Sequence, residues 1–433
     1  MPDRRTFLKS AAGLAGASAF MLPRDAWPRT AVRLTGWAFA PEVVRANLDR
    51  FESMESEYKV EMQMFAPADY GTRIVALAAA DRLRDVLYVR GENLVAWVNA
   101  GYLQPVDGLP GIEEVKNDLF PFVRAGMSVD GKLYGLPYFT DIQVFYYNEQ
   151  MLARAGIDGP PASLDELREQ SLALKKAGVA EYPLIFGLKK ATWSNVDWWT
   201  LVYASGGRLF DEELKPVFPD GDGTALEVLQ WMVDAVHTWK IADPAAVELD
   251  VNQTRDLFGA GRYAFVMQHR YDESRYNDPK LAAASGQIKM GMIPGLDGAT
   301  RGTFGIVRMY GLAKTLGDRD GCAALLGYLG GKDAEGRYHT AANWFEKFTL
   351  GYGVRSLDAD PQVQAHFGKF GNAGVKRRLA AVARVSELQL APWGAEWESF
   401  NYDQVQAALI RKVSPREALE VSARRARDLR ERW

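Results

Sequence analysis

A chain of 433 residues exceeds what one hydrophobic core usually organises, so two domains are expected. Its 52 basic and 55 acidic residues nearly cancel, which excludes a broad electrostatic pull toward nucleic acid. A single cysteine, Cys322, excludes an intramolecular disulfide and any zinc or iron–sulfur site built on cysteines.

The N-terminus reads as an export signal. Asp3-Arg4-Arg5-Thr6-Phe7-Leu8-Lys9 is close to a twin-arginine motif, and the apolar run Ala11–Leu22 behind it falls short of the roughly 20 residues that span a bilayer. Ala17-Ser18-Ala19 offers a cleavage site, and no lipid-anchor cysteine follows. Residues 1–30 are therefore assigned to a signal peptide, and the mature protein is expected in the periplasm.

Beyond it the pattern alternates. Ala31–Trp37 reads as a strand, Pro41–Phe51 as a helix, Tyr58–Phe65 as a strand, Asp69–Leu83 as a helix and Asp85–Val89 as a strand. This rhythm predicts an α/β fold with a parallel sheet covered by helices, whose ligands lie beyond the carboxyl ends of the strands. Trp37, Arg90, Glu92 and Asn93 sit there. Arg90 with Glu92 reads equally as a solvated loop pair.

A stiff stretch follows. Asp130-Gly131 marks a tight turn, Gly135-Leu136-Pro137 an extended crossing, and Ile142–Tyr147 a buried strand. After Pro160-Pro161, Ser163 and Glu166 form a capping box that opens a helix. Tyr182–Gly187 reads as a strand, and the next loop places three tryptophans, Trp193, Trp198 and Trp199, in seven residues beside Asp197. Trp199 shares helical spacing with Val202 and Tyr203 and reads as core.

The run Gly259–Ala264 fits G-x-G-x-x-A, but its helix precedes and its strand, Tyr263–Met267, follows, the reverse of a dinucleotide site. Gln268, His269 and Arg270 then face the expected cleft, with His269 equally readable as a buried, satisfied imidazole. Pro294-Gly295 and Gly330-Gly331 mark two further crossings, and Ser414 with Glu417 forms a second capping box. No H-E-x-x-H, G-x-S-x-G or P-loop lysine motif occurs, and the four histidines are scattered.

Three of these pieces stand in register. The run Asp130–Pro137, the pair Tyr147-Asn148 and the run Gly156–Leu167 resemble those of the extracellular solute-binding proteins of family 1, the sugar-binding receptors of ABC importers that include the maltose-binding type. Ala78–Asp85 departs from that family by lacking its Gly and Pro. The resemblance implies a two-lobe, type II periplasmic binding protein with a hinge, its lobes covering 31–139 with 294–331 and 140–293 with 332–433. It also implies an aromatic cleft in which Trp and Tyr faces stack on pyranose rings. From it, Asp141 is expected to accept from sugar hydroxyls, Trp193, Asp197 and Trp198 to form a platform, and Trp397 to complete the cleft, which Arg270 joins by its place after the strand. The implied partners are a sugar and the transmembrane subunits of a permease, for a monomer with no catalytic residues, metal or cofactor. A non-sugar solute, such as a glycerol phosphodiester or polyamine, and a secreted carbohydrate-active enzyme stay open as alternatives.

Overall fold

The structure, a computed structural model, describes residues 29–190, 196–370 and 373–433. Arg4-Arg5 with the rest of the expected signal, and Trp193, lie outside the described residues. The strands are β1 (Thr30–Trp37), β2 (Tyr58–Phe65), β3 (Val86–Arg90), β4 (Leu103–Gln104), β5 (Ser128–Val129), β6 (Lys132–Leu133), β7 (Gly135–Asn148), β8 (Leu184–Ile185), β9 (Phe265–His269), β10 (Ile288–Gly291), β11 (Thr303–Ala313) and β12 (Ala383–Arg384). Their order through the main sheet is β2-β1-β3-β11-β7-β9-β8.

The first three strands are parallel, as the alternating pattern predicts, with helices Pro41–Met54 and Tyr70–Ala79 between them. Leu34, Val86, Leu87 and Val89 are buried in the resulting core. The sheet is mixed rather than parallel because β11 runs antiparallel to both β3 and β7.

One strand serves both lobes. The first half of β7, from Gly135, pairs with β11, and its second half pairs with β9 and β10. The extended crossing and the buried strand expected from sequence are thus a single 14-residue strand. Its register against β11 slips between Arg308 and Met309, opposite Pro137–Phe139. Proline has no N–H for the ladder, so a bulge is the natural place for it. Gly135 is required by close approach, since a Cβ there would lie 2.5 Å from the Tyr310 carbonyl oxygen.

Local signals behave as their chemistry demands. Asp130 and Gly131 both have positive φ, 50° and 75°, closing the β5–β6 hairpin. Asn148 accepts from Met151 N at 3.0 Å and caps the helix Glu149–Arg154; Ser163 and Ser414 accept from Glu166 N and Glu417 N, each at 3.1 Å. The glycines at 259 and 261 end the helix Val251–Gly259, and β9 follows, so the strand begins two residues later than expected and includes Gln268 and His269.

The C-terminal third makes contacts on both sides of the expected division. The helix His339–Phe348, assigned from sequence to the second lobe, packs on the first: Asn343 donates to Asn47 at 2.8 Å, and Trp344 stacks on Phe39 at 6.0 Å. Gly351 bridges Thr140, and Tyr352 O accepts from Thr140 Oγ1 at 2.9 Å. The helices Gly394–Leu409 and Pro415–Arg432 pack on the helix Thr224–His237, and Lys376 from the helix Ala373–Val382 pairs with buried Glu273. Among the described residues no helix is long and apolar enough to cross a membrane.

Candidate ligand cleft

A cavity of about 500 Å³ opens between the lobes, within the size range of small-molecule sites. The 3-10 turn Gly91–Asn93 after β3 supplies one wall, β11 from Phe304 to Arg308 the floor, and the helices Val196–Ala204 and Gly394–Leu409 the far wall. A short turn, Glu387–Leu390, ties the far wall to both lobes. Gln389 donates to Gly126 O at 2.6 Å, and Tyr203 donates to Glu387 at 2.5 Å.

Glu92 and Asn93 line this cavity, as the position beyond β3 predicts. Arg308 donates to both Glu92 oxygens, at 2.8 and 3.1 Å, a bidentate pair in which the arginine is nearly buried and the carboxylate about half exposed. Trp199 lies on the cavity wall with its ring stacked on Phe304, centroids 5.6 Å apart, and its Nε1 has no hydrogen-bond partner. Ser399, Tyr402, Gln389 and Glu398 add polar groups. Burial, followed by the nearby charge of Glu92, pushes the Glu398 carboxyl up to about 7.

Trp37 and Arg90 form a different arrangement. The Arg90 guanidinium stands 5.4 Å over the Trp37 ring and donates to Pro67 O at 2.8 Å, so it covers the face expected to stack on a ligand. Behind it Trp37 contacts Tyr88 at 4.8 Å, and Tyr88 contacts Tyr138 at 4.6 Å in a sealed aromatic cluster.

Five expected site residues are built into the protein interior. Trp198 is fully buried, donating from Nε1 to Ala225 O at 3.2 Å, and Trp397 is fully buried, donating to Ser422 O at 2.9 Å with Phe210 at 4.9 Å. Their indoles are satisfied core groups, not platforms. Asp197 accepts from Gly187 N at 3.0 Å beside a cavity of only about 10 Å³, and burial pushes its carboxyl up to about 7. Asp141 has no exposed surface; His269 Nδ1 lies 2.8 Å and Arg270 Nε 3.7 Å from its oxygens. Arg270 donates to Thr140 O at 3.3 Å beneath Gly351, where any Cβ would collide with the guanidinium. These groups brace the crossing.

The residues that sequence reasoning missed are Phe304, Arg308 and Glu398; Trp199, read as core, is only 2% exposed and also borders the cavity. Arg308 is the single charge in an otherwise nearly apolar β11, and Glu398 had a signal too: its neighbour Trp397 shares the core spacing of Val405 and Ala408, so the next residue turns away from the core.

The pattern that defines the bacterial extracellular solute-binding proteins matches residues 38–336. The chain belongs to that family. The mannitol-binding protein of Pseudomonas aeruginosa is 29% identical to this solute-binding protein over 207 residues, 47% of this chain and 46% of the relative, so that match spans just under half of the relative's length. The sugar-binding protein MalE of Xanthomonas citri shares its fold, with a TM-score of 0.79 at 18% identity over 93% of this chain and 98% of the other. An ABC transporter solute-binding protein of Agrobacterium vitis, solved with bound D-mannitol, superposes with a TM-score of 0.68 at 18% identity over 93% and 98% of the two chains. These likenesses establish the two-lobe α/β architecture.

Proposed function

We propose that this solute-binding protein is the receptor of an ABC importer, taking a carbohydrate or polyol into the cleft between its lobes and presenting it to the transmembrane subunits. The observation that carries this reading is the cavity itself, in which the stacked Trp199–Phe304 pair borders Glu92, Arg308, Ser399, Tyr402 and Gln389. Flat apolar faces suit the C–H surface of a sugar, and the fixed donors and acceptors suit its hydroxyls. The relatives named as sugar-binding or mannitol-binding, and the one solved with D-mannitol, support the same ligand class.

The lobes would comprise 31–139 with 294–356, and 140–293 with the helices after 394, and would close about β7 and β11 when ligand binds both walls. Release to a permease requires no chemistry at the ligand, and the reading is of a binding protein, not an enzyme. The expected export by the Arg4-Arg5 signal and the monomeric state belong to the same proposal.

A thermal-shift screen over monosaccharides, oligosaccharides and hexitols tests it. At least one carbohydrate is expected to raise the melting temperature in a concentration-dependent way, as any ligand of the native state does. Stabilisation by glycerol phosphodiesters or polyamines and by no carbohydrate would overturn the sugar reading, and turnover of the bound sugar would overturn the binding-protein reading.

A further inference from the structure

The charges that line the cleft do not cancel. Arg308 is committed to Glu92 through two hydrogen bonds and to Val307 O at 2.9 Å, and Lys190 is committed to Asp403 at 2.7 Å. Glu398 remains. Partly buried on the helix Gly394–Leu409, it has no hydrogen-bond or ion-pair partner among the described residues. Glu92 faces it from the turn after β3, Arg308 from β11, Lys190 from the loop after β8, and Tyr402 from one turn further along its own helix. The nearby charge of another acid, Glu92, rather than that of a base, weighs on its carboxyl.

We propose that Glu398 determines the charge class of the ligand: the cleft takes an amine-bearing polyhydroxy compound in preference to a neutral one, and a neutral one in preference to a carboxylate or phosphate. This rests on the carbohydrate reading above. An ammonium group entering the cleft finds a lone carboxylate to which it can donate a charge-assisted hydrogen bond. A neutral hydroxyl also finds an acceptor there, without the Coulombic gain. An anion meets two carboxylates, Glu92 and Glu398, while the Arg308 guanidinium already serves one of them.

Glu398 loses its proton as pH rises through about 7, so the preference is stronger at pH 8 than at pH 6. The side chain thus acts on specificity. Glu92 cannot substitute for it as an acceptor, because Arg308 already donates to both of its oxygens.

The test uses D-glucamine, D-glucitol and D-gluconate, which share their stereochemistry and differ only at C1, with 6-amino-6-deoxy-D-glucose, D-glucose and D-glucuronate, which differ only at C6, as the pyranose series. Dissociation constants are measured by calorimetry on the full chain and on Glu398→Gln. At pH 8 the amine of the series that binds is expected to be held about tenfold or more tighter than the carboxylate, with the neutral member between them. The gap should narrow at pH 6 in the wild type, a readout independent of whether the variant folds, and should collapse in Glu398→Gln. Equal binding of all three members, a preference for the carboxylate, or a ranking that survives Glu398→Gln would overturn the role of Glu398 while leaving the carbohydrate reading standing. Absence of binding by every carbohydrate in the screen would remove both.

Discussion

The helices Val196–Ala204 and Gly394–Leu409 both place one side chain on the cavity wall and its neighbour in the core, yet they are built on different principles. Every residue of the first helix is buried. In the second, burial falls on Gly394, Trp397, Asn401, Val405, Ala408 and Leu409, a single stripe, with acids and amides on the remaining face. Successive residues on a helix point about 100° apart, so Trp198 and Trp199, or Trp397 and Glu398, can serve opposite purposes. The striped helix announces which neighbour is which; the fully buried one does not.

Removing the interior member of each pair should act on stability. Trp397→Ala takes an indole from between Phe210, Phe218 and Trp199 and leaves Ser422 O without its donor. A loss of about 3–5 kcal/mol is expected in urea unfolding, as for other buried Trp truncations. A loss under about 1 kcal/mol would mean that Trp397 is not the core residue described here.

Acidity offers a second separation of the helices. The Asp197 carboxyl, held near 7 in the folded protein, lies well above its ordinary value of 3.8. Between those values the folded state keeps a proton that the unfolded chain releases, so the contribution of this group to stability falls as pH rises from about 4 to about 7. Asp197→Asn keeps an acceptor for Gly187 N–H and should flatten that decline, making the variant more stable than wild type at pH 8 by up to roughly 4 kcal/mol. Asp272, also pushed up to about 7 by burial, retains its own share of the slope. Unchanged pH dependence of urea midpoints in the variant would contradict a buried neutral Asp197.

The cavity members should act on binding. Trp199→Ala is expected to weaken the carbohydrate found in the thermal-shift screen by about tenfold or more, about 1.4 kcal/mol, whereas Trp198→Ala should leave the affinity of the folded protein within a few-fold. Calorimetry on the two variants reads this, and the reverse ranking would exchange their roles. Smaller still, Tyr402→Phe removes one hydroxyl from the cavity wall and should cost about 0.5–1.5 kcal/mol of binding with no change in the urea midpoint.

The same contrast explains what could be read in advance. The β-strands before residue 90, the hairpin at Asp130-Gly131, the caps at Ser163 and Ser414 and the reversed order at Gly259–Ala264 all rest on local chemistry, and local chemistry is visible in a sequence. Glu92 and Asn93 were legible because the carboxyl end of a strand fixes where a loop must lie. Arg308 was not, because its meaning depends on β11 crossing beside β3, a pairing more than 200 residues apart in sequence. Asp141 and Arg270 carry ligand-like chemistry but are buried against His269 and the Thr140 carbonyl, which only packing reveals. The contacts of the helix His339–Phe348 with Asn47 and Phe39 were hidden for the same reason, being purely tertiary.

A crystal structure of the full chain grown with maltose or D-mannitol, whichever gives the larger thermal shift, examines the cleft most directly. The carbohydrate should lie against the Trp199 ring, with hydroxyls in hydrogen-bond reach of the Glu92–Arg308 pair and of Glu398. Density for the sugar on the Trp37, Tyr138 and Trp344 cluster instead, with the 500 Å³ cavity holding only solvent, would contradict it.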